Sequence, residues 1–290
     1  MNKSLIIFLF VCTIATSCAQ KSDYVVTIKT NQGDMIAILY DETPKHKANF
    51  IKLAKEHYFD SLLFHRVISG FMIQGGDPNS KKARPGEALG NGGPGYTIDA
   101  EFNPTYFHEK GSFAAARLGD QQNPTKASSG SQFYIVQGSI VPAVNMDELK
   151  IDQMKLNTGF RQMMQNPANQ PLIDSLNQIY MSGDMEGYKR RIFALVPRCE
   201  KETGMKLTKY VSPEKIKAYT TVGGTPQLDG EYTVFGKVIK GLDVIDKIAA
   251  VQKDGGDRPV VDIQMFVSVE EMSKKKITKL YGYVFPEVKK

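Results

Sequence analysis

The sequence predicts a mainly β protein, a barrel or a sandwich, with an α-helical segment inserted into it. Short apolar stretches separated by Gly- and Pro-rich turns predict strands on both sides of residues 139–221. Within residues 139–221 the apolar side chains instead recur at helical spacing, and this segment holds seven of the 12 Met. Because strands resume afterwards, the helices interrupt one β domain and do not form a second domain at its end.

The first 18 residues predict a secretory signal peptide. Lys3 precedes an apolar run that is too short to span a bilayer, and small residues follow it. The sequence Ala15-Thr16-Ser17-Cys18 resembles a bacterial lipobox, in which the Cys becomes the lipidated N-terminus. Cleavage at an ordinary signal-peptide site nearby is the alternative. The resemblance implies export to the bacterial cell envelope, with a membrane anchor at Cys18 and the protein facing the periplasm.

The charge distribution, the cysteines and the histidines argue against a nucleic-acid partner, an intramolecular disulfide and a metal site. The net charge is +6, but the lysines are scattered and no basic and aromatic residues interleave, so no nucleic-acid partner is expected. Once Cys12 leaves with the signal and Cys18 carries lipid, Cys199 has no partner for an intramolecular disulfide, and we interpret it as structural. The histidines show no metal-ligand spacing, so no metal site is predicted.

Strand and helix signals alternate before the insertion. "DYVVTIKTNQGDMIAILY" predicts a hairpin that turns at residues 31–34. Thr43 and Pro44 predict the N-cap and first residue of a helix that buries Phe50, Leu53 and Ala54. "FHRVISGFMIQGGDP" predicts a second hairpin, and the Gly- and Pro-rich loop after it must lie on the surface. Two more strands are predicted in "GSFAAARLG" and "SSGSQFYIVQG".

Four helices are predicted within the insertion. The first has an apolar stripe of Met154, Phe160 and Met164, the second opens at Pro171, the third contains Tyr188, and the fourth starts at Ser212-Pro213. Beyond the insertion, "EYTVFGKVIKG" and "VVDIQMFVSV" predict strands, and "LDVIDKIAAV" predicts a helix. Residues 270–290 form a basic tail with an apolar patch, which we expect to pack on the body.

Five motifs occur along the chain in this order: "YFDSLLFHRVISGFMIQGGDP", "GGPGYTIDAEF", "GSFAAAR", "GSQFYI" and "LDGEYTVFGKVIKGLDVIDKI". They resemble the motifs of the cyclophilin family of peptidyl-prolyl cis-trans isomerases, over roughly residues 24–269 apart from the insertion. The resemblance implies a closed eight-stranded antiparallel barrel capped by two helices, formed by residues 23–138 and 222–269. It also implies catalysis without a cofactor.

Prolyl isomerisation changes no covalent bond, but rotation about a peptide bond faces a barrier of about 18–20 kcal/mol. An enzyme therefore needs an apolar seat for the proline ring and a donor near the prolyl nitrogen, which regains its lone pair in the twisted state. Arg suits this task because it stays charged and presents a rigid fork of donors. By resemblance, Arg66 is catalytic, and Gln74 orients it and bonds the substrate backbone. The neighbouring His65 should face the other way and be a buried structural residue.

The resemblance also implies a set of substrate-binding residues. Phe71, Met72, Leu228 and Tyr134 form the pocket walls. Gln132 is a substrate-binding amide. The backbone of Ala116 and Arg117 holds the peptide. Taken alone, Phe71, Met72 and Tyr134 would fit a core, and Gln132 would fit a structural amide. The family commonly has Asn where Arg117 stands and Phe where Tyr134 stands.

Two further pocket positions depart from the family pattern. Gln227 stands where many cyclophilins have Trp, and Tyr232 stands where they have His, so the pocket wall stays aromatic but its rim loses the indole. By resemblance that Trp helps to bind cyclosporin, so weak inhibition by this drug is expected. With no His expected in the pocket, catalysis should not vary between about pH 5.5 and 8.

Two functions fit these observations. The first is a prolyl isomerase that assists the folding of exported proteins, with proline-containing segments of unfolded or partly folded proteins as its partners. The second is a module or chaperone that binds proline segments with little turnover. Arg66 favours the enzyme, whereas Gln227 and the insertion keep the second function open. The insertion itself is either a cover over one barrel face or a rim that binds client proteins, since Met-rich surfaces adapt to varied apolar partners.

Overall fold

The structure, a computed structural model, describes residues 22–142 and 146–286, so the predicted signal peptide and Cys18 lie outside it. Its strands are β1 (Ser22–Thr30), β2 (Gly33–Leu39), β3 (Leu62–Ile68), β4 (Met72–Gly75), β5 (Thr97–Ile98), β6 (Ser112–Ala115), β7 (Ser128–Ser129), β8 (Phe133–Val136), β9 (Val234–Lys240) and β10 (Gln264–Ser273). Eight of them close into a barrel in the order β1-β10-β3-β4-β8-β6-β9-β2. All the pairs are antiparallel, and β5 and β7 form a separate ribbon. The predicted closed barrel is confirmed.

Helices cap the barrel and fill the insertion. They are α1 (Pro44–Lys55), α2 (Met146–Leu149), α3 (Gln153–Met164), α4 (Gln170–Met181), α5 (Met185–Ala194), α6 (Val196–Thr203), α7 (Pro213–Thr221), α8 (Leu242–Ala249) and α9 (Lys274–Tyr281). Phe50 and Leu53 of α1 and Ile245 and Ile248 of α8 belong to the same buried core as the inward side chains of the strands. Across the described ranges, no helix is long and apolar enough to cross a membrane.

The first turn of α1 is capped by a distant carboxylate. Thr43 precedes Pro44 as predicted, but its side chain makes no capping hydrogen bond to the helix. Instead Glu101 accepts from the backbone N–H groups of Lys45 and His46, each at 3.0 Å. An anion at a helix N-terminus is favourable because the first N–H groups have no partner within the helix. The loop that carries Glu101 is thereby tied to the barrel cap.

The insertion leaves and rejoins the barrel at one antiparallel bridge. The N–H of Ser139 donates to the carbonyl of Gly224 at 3.2 Å, and the N–H of Gly224 donates to the carbonyl of Ser139 at 3.0 Å. Gly138 has a φ of +65°, and a Cβ on it would lie 2.3 Å from the Gly224 Cα. A side chain at residue 138 is therefore excluded both by the left-handed backbone and by the close approach.

Six helices, rather than the four predicted, lie in the described part of the insertion, because α2 and α6 were not foreseen. Helices α3, α4, α5 and α6 share a core that includes Leu156, Leu207 and the fully buried Cys199. Met154 is 66% exposed, so the predicted apolar stripe of α3 is wrong at this residue. The buried face of α3 is instead formed by Leu156, Gly159 and Met163.

The barrel extends past the predicted boundary at residue 269. Ser273 pairs with Ser22 of β1, so residues 270–273 complete β10 and do not belong to the tail. Helix α9 follows directly, and its Ile277 is fully buried in a cluster with Val25, Ile38 and Met272. The outer surface of β1 and β2 is thereby covered by the chain's last described residues.

Candidate active site

One patch of the barrel wall is buried on both of its faces. The neighbouring strands β3, β4, β8, β6 and β9 form it, and successive side chains alternate between the interior and the outer surface. The inward residues belong to the barrel core, among them Val67, Ile73, Phe113, Phe133, Ile135 and Phe235. The outward residues form a second cluster, which we call the seat: Met72, Ala114, Ala116, Tyr134, Val136 and Val234.

The predicted pocket residues meet at the seat. Met72 and Tyr134 are part of it, and Phe71, Leu228 and Tyr232 are half-buried against it. Gln227 is exposed beside Leu228, in a short 3-10 helix at the edge of the seat. Sequence reasoning did not place three further residues that pack on the seat, because nothing in their local pattern distinguishes them: Tyr40, Ile68 and Tyr106.

A β-bulge brings Arg66 to the outer surface. Phe64 pairs with Gly75 and Arg66 pairs with Gln74, so β3 carries one extra residue, His65, between the two pairs. Without the bulge, Phe64 and Arg66 would share a face. With it, Phe64 lies in the barrel core and Arg66 is exposed on the side of the seat. His65 is buried as predicted, but the bulge determines its position rather than regular alternation.

Two amides hold the guanidinium in place. Arg66 Nη1 donates to Gln74 Oε1 at 3.3 Å, and Gln74 Nε2 donates to Gln132 Oε1 at 3.1 Å. Gln132 Nε2 donates in turn to the carbonyls of Gly90 and Gly92, at 2.8 and 2.7 Å. The guanidinium can only donate and the carbonyls can only accept, so both amides have one possible orientation. Gln132, predicted to bind substrate, is buried and fixes Gln74.

The backbone of Ala116 is already used within the barrel. Its N–H donates to the carbonyl of Gln132 at 3.0 Å, and its carbonyl accepts from the N–H of Ser129 at 2.8 Å. The sequence assigned the grip on the peptide backbone to Ala116 and Arg117 together. In this geometry both backbone groups of Ala116 support the strand pairing, and its side chain packs on the seat. The grip on the peptide by Arg117 stays a prediction.

The side chain of Arg117 is fixed beneath the pocket edge. Its Nε donates to the carbonyl of Glu231 at 2.8 Å, and its Nη1 donates to Asp120 Oδ1 at 2.6 Å. The guanidinium carbon lies 4.5 Å from the centre of the Tyr232 ring. This cation–π contact holds Tyr232 against the seat, where its ring also meets the edge of Tyr134 at 5.8 Å. Neither contact was expected from the sequence.

A histidine lies directly behind the seat, contrary to the expectation of a pocket without histidine. His108 is fully buried, with Nε2 2.9 Å from the Tyr134 hydroxyl and Nδ1 3.1 Å from Asp229 Oδ1. Burial lowers the pKa of His108 despite the neighbouring carboxylate. The neutral ring donates from Nδ1 to Asp229 and accepts from Tyr134 at Nε2. The hydroxyl that Tyr134 has and Phe lacks is therefore hydrogen-bonded to His108.

Asp229 joins the seat to the insertion. It accepts from the Tyr219 hydroxyl at 2.8 Å and forms an ion pair with Lys215 at 3.3 Å, both on α7. Burial acts to raise the pKa of Asp229, but the hydrogen bond from His108 and the charge of Lys215 outweigh it and lower the pKa. The carboxylate follows Leu228 in the chain, so α7 holds the loop that borders the seat.

Metal chemistry has no visible basis in this arrangement. The His, Cys, Asp and Glu residues of the described ranges form no group of three or more that could hold a metal ion. The polar side-chain groups at the seat described above include a guanidinium, two amides and an aromatic hydroxyl. They can bind, orient and donate hydrogen bonds, which is what rotation about an amide requires.

Comparisons with known proteins match the chain to one enzyme family. The family model "Cyclophilin type peptidyl-prolyl cis-trans isomerase/CLD" matches residues 25–154 and 212–269 and leaves out most of the insertion. A "putative peptidyl-prolyl cis-trans isomerase" of Staphylococcus haemolyticus is 32% identical over 246 residues, which cover 84% of this chain and 89% of that protein. A "putative bifunctional phosphatase/peptidyl-prolyl cis-trans isomerase" of Streptococcus pyogenes is 32% identical over 244 residues.

The Streptococcus pyogenes match covers 82% of this chain but only 37% of that longer protein. Among solved structures, a cyclophilin-type isomerase of Cryptosporidium parvum shares the fold with a TM-score of 0.50 and 21% identity, covering 86% of this chain and 98% of that chain. The family match and the relatives identify the chain's activity as peptidyl-prolyl cis-trans isomerisation. The protein is a member of the cyclophilin family of peptidyl-prolyl cis-trans isomerases.

Proposed function

We propose that this isomerase assists the folding of exported proteins and that Arg66 stabilises the twisted prolyl amide. The position of Arg66 supports the role of this residue, because its guanidinium lies outside the barrel beside the seat and is oriented by Gln74 at 3.3 Å. The predicted signal peptide supports the role in the folding of exported proteins. A proline ring on Met72 and Tyr134 would bring its nitrogen towards that guanidinium.

The geometry favours the twisted state over the planar one. In the planar amide the nitrogen lone pair is delocalised, so a donor near the nitrogen gains little. Twisting localises the lone pair, and a guanidinium already fixed in place can then donate to it without reorganisation. A proline ring on the apolar seat would displace water from the neighbouring side of the exposed Arg66, which strengthens the interaction.

The test is an isomerisation assay on a proline tetrapeptide. Arg66→Ala should lower kcat/KM by about 100-fold or more, because one preorganised donor to a transition state contributes that much. Arg66→Lys keeps the charge but loses the fork and should fall between Ala and the wild type. Arg190→Ala, at an exposed Arg of the insertion, is the matched control. Full activity in Arg66→Ala would overturn the assignment, and a wild type that binds the peptide without turnover would favour the binding module.

We propose further that the mature protein is held to the membrane of the bacterial cell envelope by lipid at Cys18 and faces the periplasm. The support is the short apolar run and the lipobox-like sequence that ends at Cys18. Cys18→Ser should abolish labelling with radioactive palmitate and move the protein from the membrane fraction to the soluble fraction. A Cys18→Ser protein that remains in the membrane fraction would contradict the anchor.

A further inference from the structure

A large cavity lies between the insertion and the edge of the seat. Its volume is about 1250 Å³, above the roughly 300–1,000 Å³ of pockets that enclose one small molecule. Helices α3, α4 and α5 line most of it, and the loop that carries Pro226 and Gln227 closes the end nearest the seat. Its size suits several side chains of a polypeptide.

The walls of the cavity are largely apolar and adaptable. Phe160, Met164, Ile192 and Phe193 line it and are half-buried on the core of the insertion. Met154 and Met185 also line it and are 66% and 53% exposed. Flexible thioethers and half-covered aromatic rings fit varied apolar partners better than one rigid ligand. The lining therefore favours an apolar chain of variable sequence.

Six of the nine charged residues that line the cavity form ion pairs, and the other three are of mixed sign: Arg161, Glu186 and Lys209. Near the seat, Asp120 and Glu231 both form ion pairs with Arg117, at 2.6 and 3.4 Å. At the helical side, Glu148 forms an ion pair with Lys189 at 2.7 Å. Paired charges present little net field to an incoming molecule. An uncharged apolar segment therefore fits the cavity better than a charged metabolite or an acidic peptide does.

The cavity adjoins the loop at the edge of the seat. Gln227 lines the cavity, while the next residue, Leu228, packs on the seat. A chain whose proline occupies the seat would cross the loop at residues 227–228 to reach the cavity, and an extended chain covers about 3.3 Å per residue. We propose that the cavity binds an apolar stretch of the same unfolded polypeptide whose prolyl bond lies in the seat. This inference rests on the proposed function and adds a second subsite to it.

The test separates a short substrate from a long one. Met154→Glu/Met185→Glu places two charges in the cavity at exposed positions, where substitution leaves the core intact. Met181→Glu is the matched control, because Met181 lies in the same insertion, is 85% exposed and does not line the cavity. The probes are a proline tetrapeptide, assayed for isomerisation, and reduced carboxymethylated lactalbumin, an unfolded chain, assayed for binding.

The double variant should bind the unfolded chain about tenfold more weakly, because each Met loses apolar burial against it. Its kcat/KM on the tetrapeptide should stay within about twofold, since Met154 and Met185 line the cavity and do not belong to the seat. Unchanged binding of the unfolded chain by the double variant would overturn the proposal. Failure of the wild type to turn over the tetrapeptide would instead overturn the proposed function.

A cross-linking measurement does not depend on the charge substitutions. p-Benzoylphenylalanine introduced at residue 154 should capture the unfolded lactalbumin under light, and the same group at residue 181 should not. Equal capture at both residues would overturn the proposal. A dimer of the wild type that dissociates in the double variant would assign the cavity to a second copy of the chain and would also overturn it.

Discussion

The hydroxyl of Tyr219 donates to Asp229 at 2.8 Å, and this bond connects the last helix of the insertion to the loop that borders the seat. Tyr219→Phe removes the bond and leaves a buried carboxylate with one donor fewer. The free energy of unfolding should fall by about 1–2 kcal/mol. KM for a tetrapeptide should rise a few-fold with little change in kcat, because Leu228 loses support in substrate binding.

Tyr180→Phe is the control for this experiment, since Tyr180 is an exposed Tyr of the same insertion. Urea unfolding and steady-state kinetics check both effects. If Tyr219→Phe lowered stability and left KM as in the wild type, the insertion would not support the substrate loop.

The stability of the fold should depend on pH through His65. Burial lowers the pKa of His65 to about 4, outweighing the nearby Asp77, whereas the unfolded chain has the ordinary value of about 6.5. Between those values the unfolded state binds a proton that the folded state excludes, so stability is full above about pH 6.5 and falls as the pH drops towards 4. The loss from this one residue should approach about 3 kcal/mol.

His65→Leu should reduce this pH dependence, because Leu has no proton to bind. Urea unfolding at pH 7.5 and pH 4.5 gives the two free energies. His57→Gln, at an exposed His, should keep the wild-type difference. A wild-type stability that stayed constant between the two pH values would contradict the buried neutral state of His65.

Catalysis should not vary between about pH 6 and 8. Arginine side chains are charged throughout this range, and burial lowers the pKa of His108, the histidine behind the seat, which favours its neutral form. The measurement is kcat/KM for a tetrapeptide at half-unit steps of pH. An inflection near pH 6.5 that disappears in His108→Gln would show that the ring behind Tyr134 titrates and influences the seat.

Cyclosporin should inhibit this protein weakly. Gln227 is exposed at the edge of the seat, where many cyclophilins resembling this chain have Trp. Gln227→Trp should lower the inhibition constant by about tenfold or more, because an indole at this edge adds a large apolar contact. Gln227→Ala should leave the constant near the wild-type value. Strong inhibition of the wild type would mean that the edge binds the drug without the indole.

The barrel and the seat could be predicted because their signals are local. The stretches "GFMIQ" and "SQFYIV" lie in motifs that resemble the family's, which implied Met72 and Tyr134 as pocket residues, and both lie in the seat. The bulge at His65 could not be predicted, because it exists only in the pairing of β3 with β4. Reading β3 alone, Arg66 would share the face of Phe64.

The link from Tyr134 to the insertion was also beyond prediction. His108 and Asp229 are 121 residues apart in sequence, and each residue type is common in structural roles. Helix α6 was missed for a different reason: only Leu195 separates it from α5, and Pro197 lies in its first turn. Proline is tolerated there because the first N–H groups of a helix have no acceptor within it.

The bridge between Ser139 and Gly224 makes the insertion a module that the barrel could gain or lose without changing strand order. Since the two ends already meet, a tight turn could replace everything between them. Loss of the insertion would, however, destabilise the barrel. Helix α7 gives Asp229 an ion pair and a hydrogen bond, and a barrel without α7 would hold this carboxylate with fewer donors. The insertion could therefore be removed without rearranging the strands, but its removal would lower the free energy of unfolding of the barrel. A shortened barrel would need a different residue at position 229 to compensate.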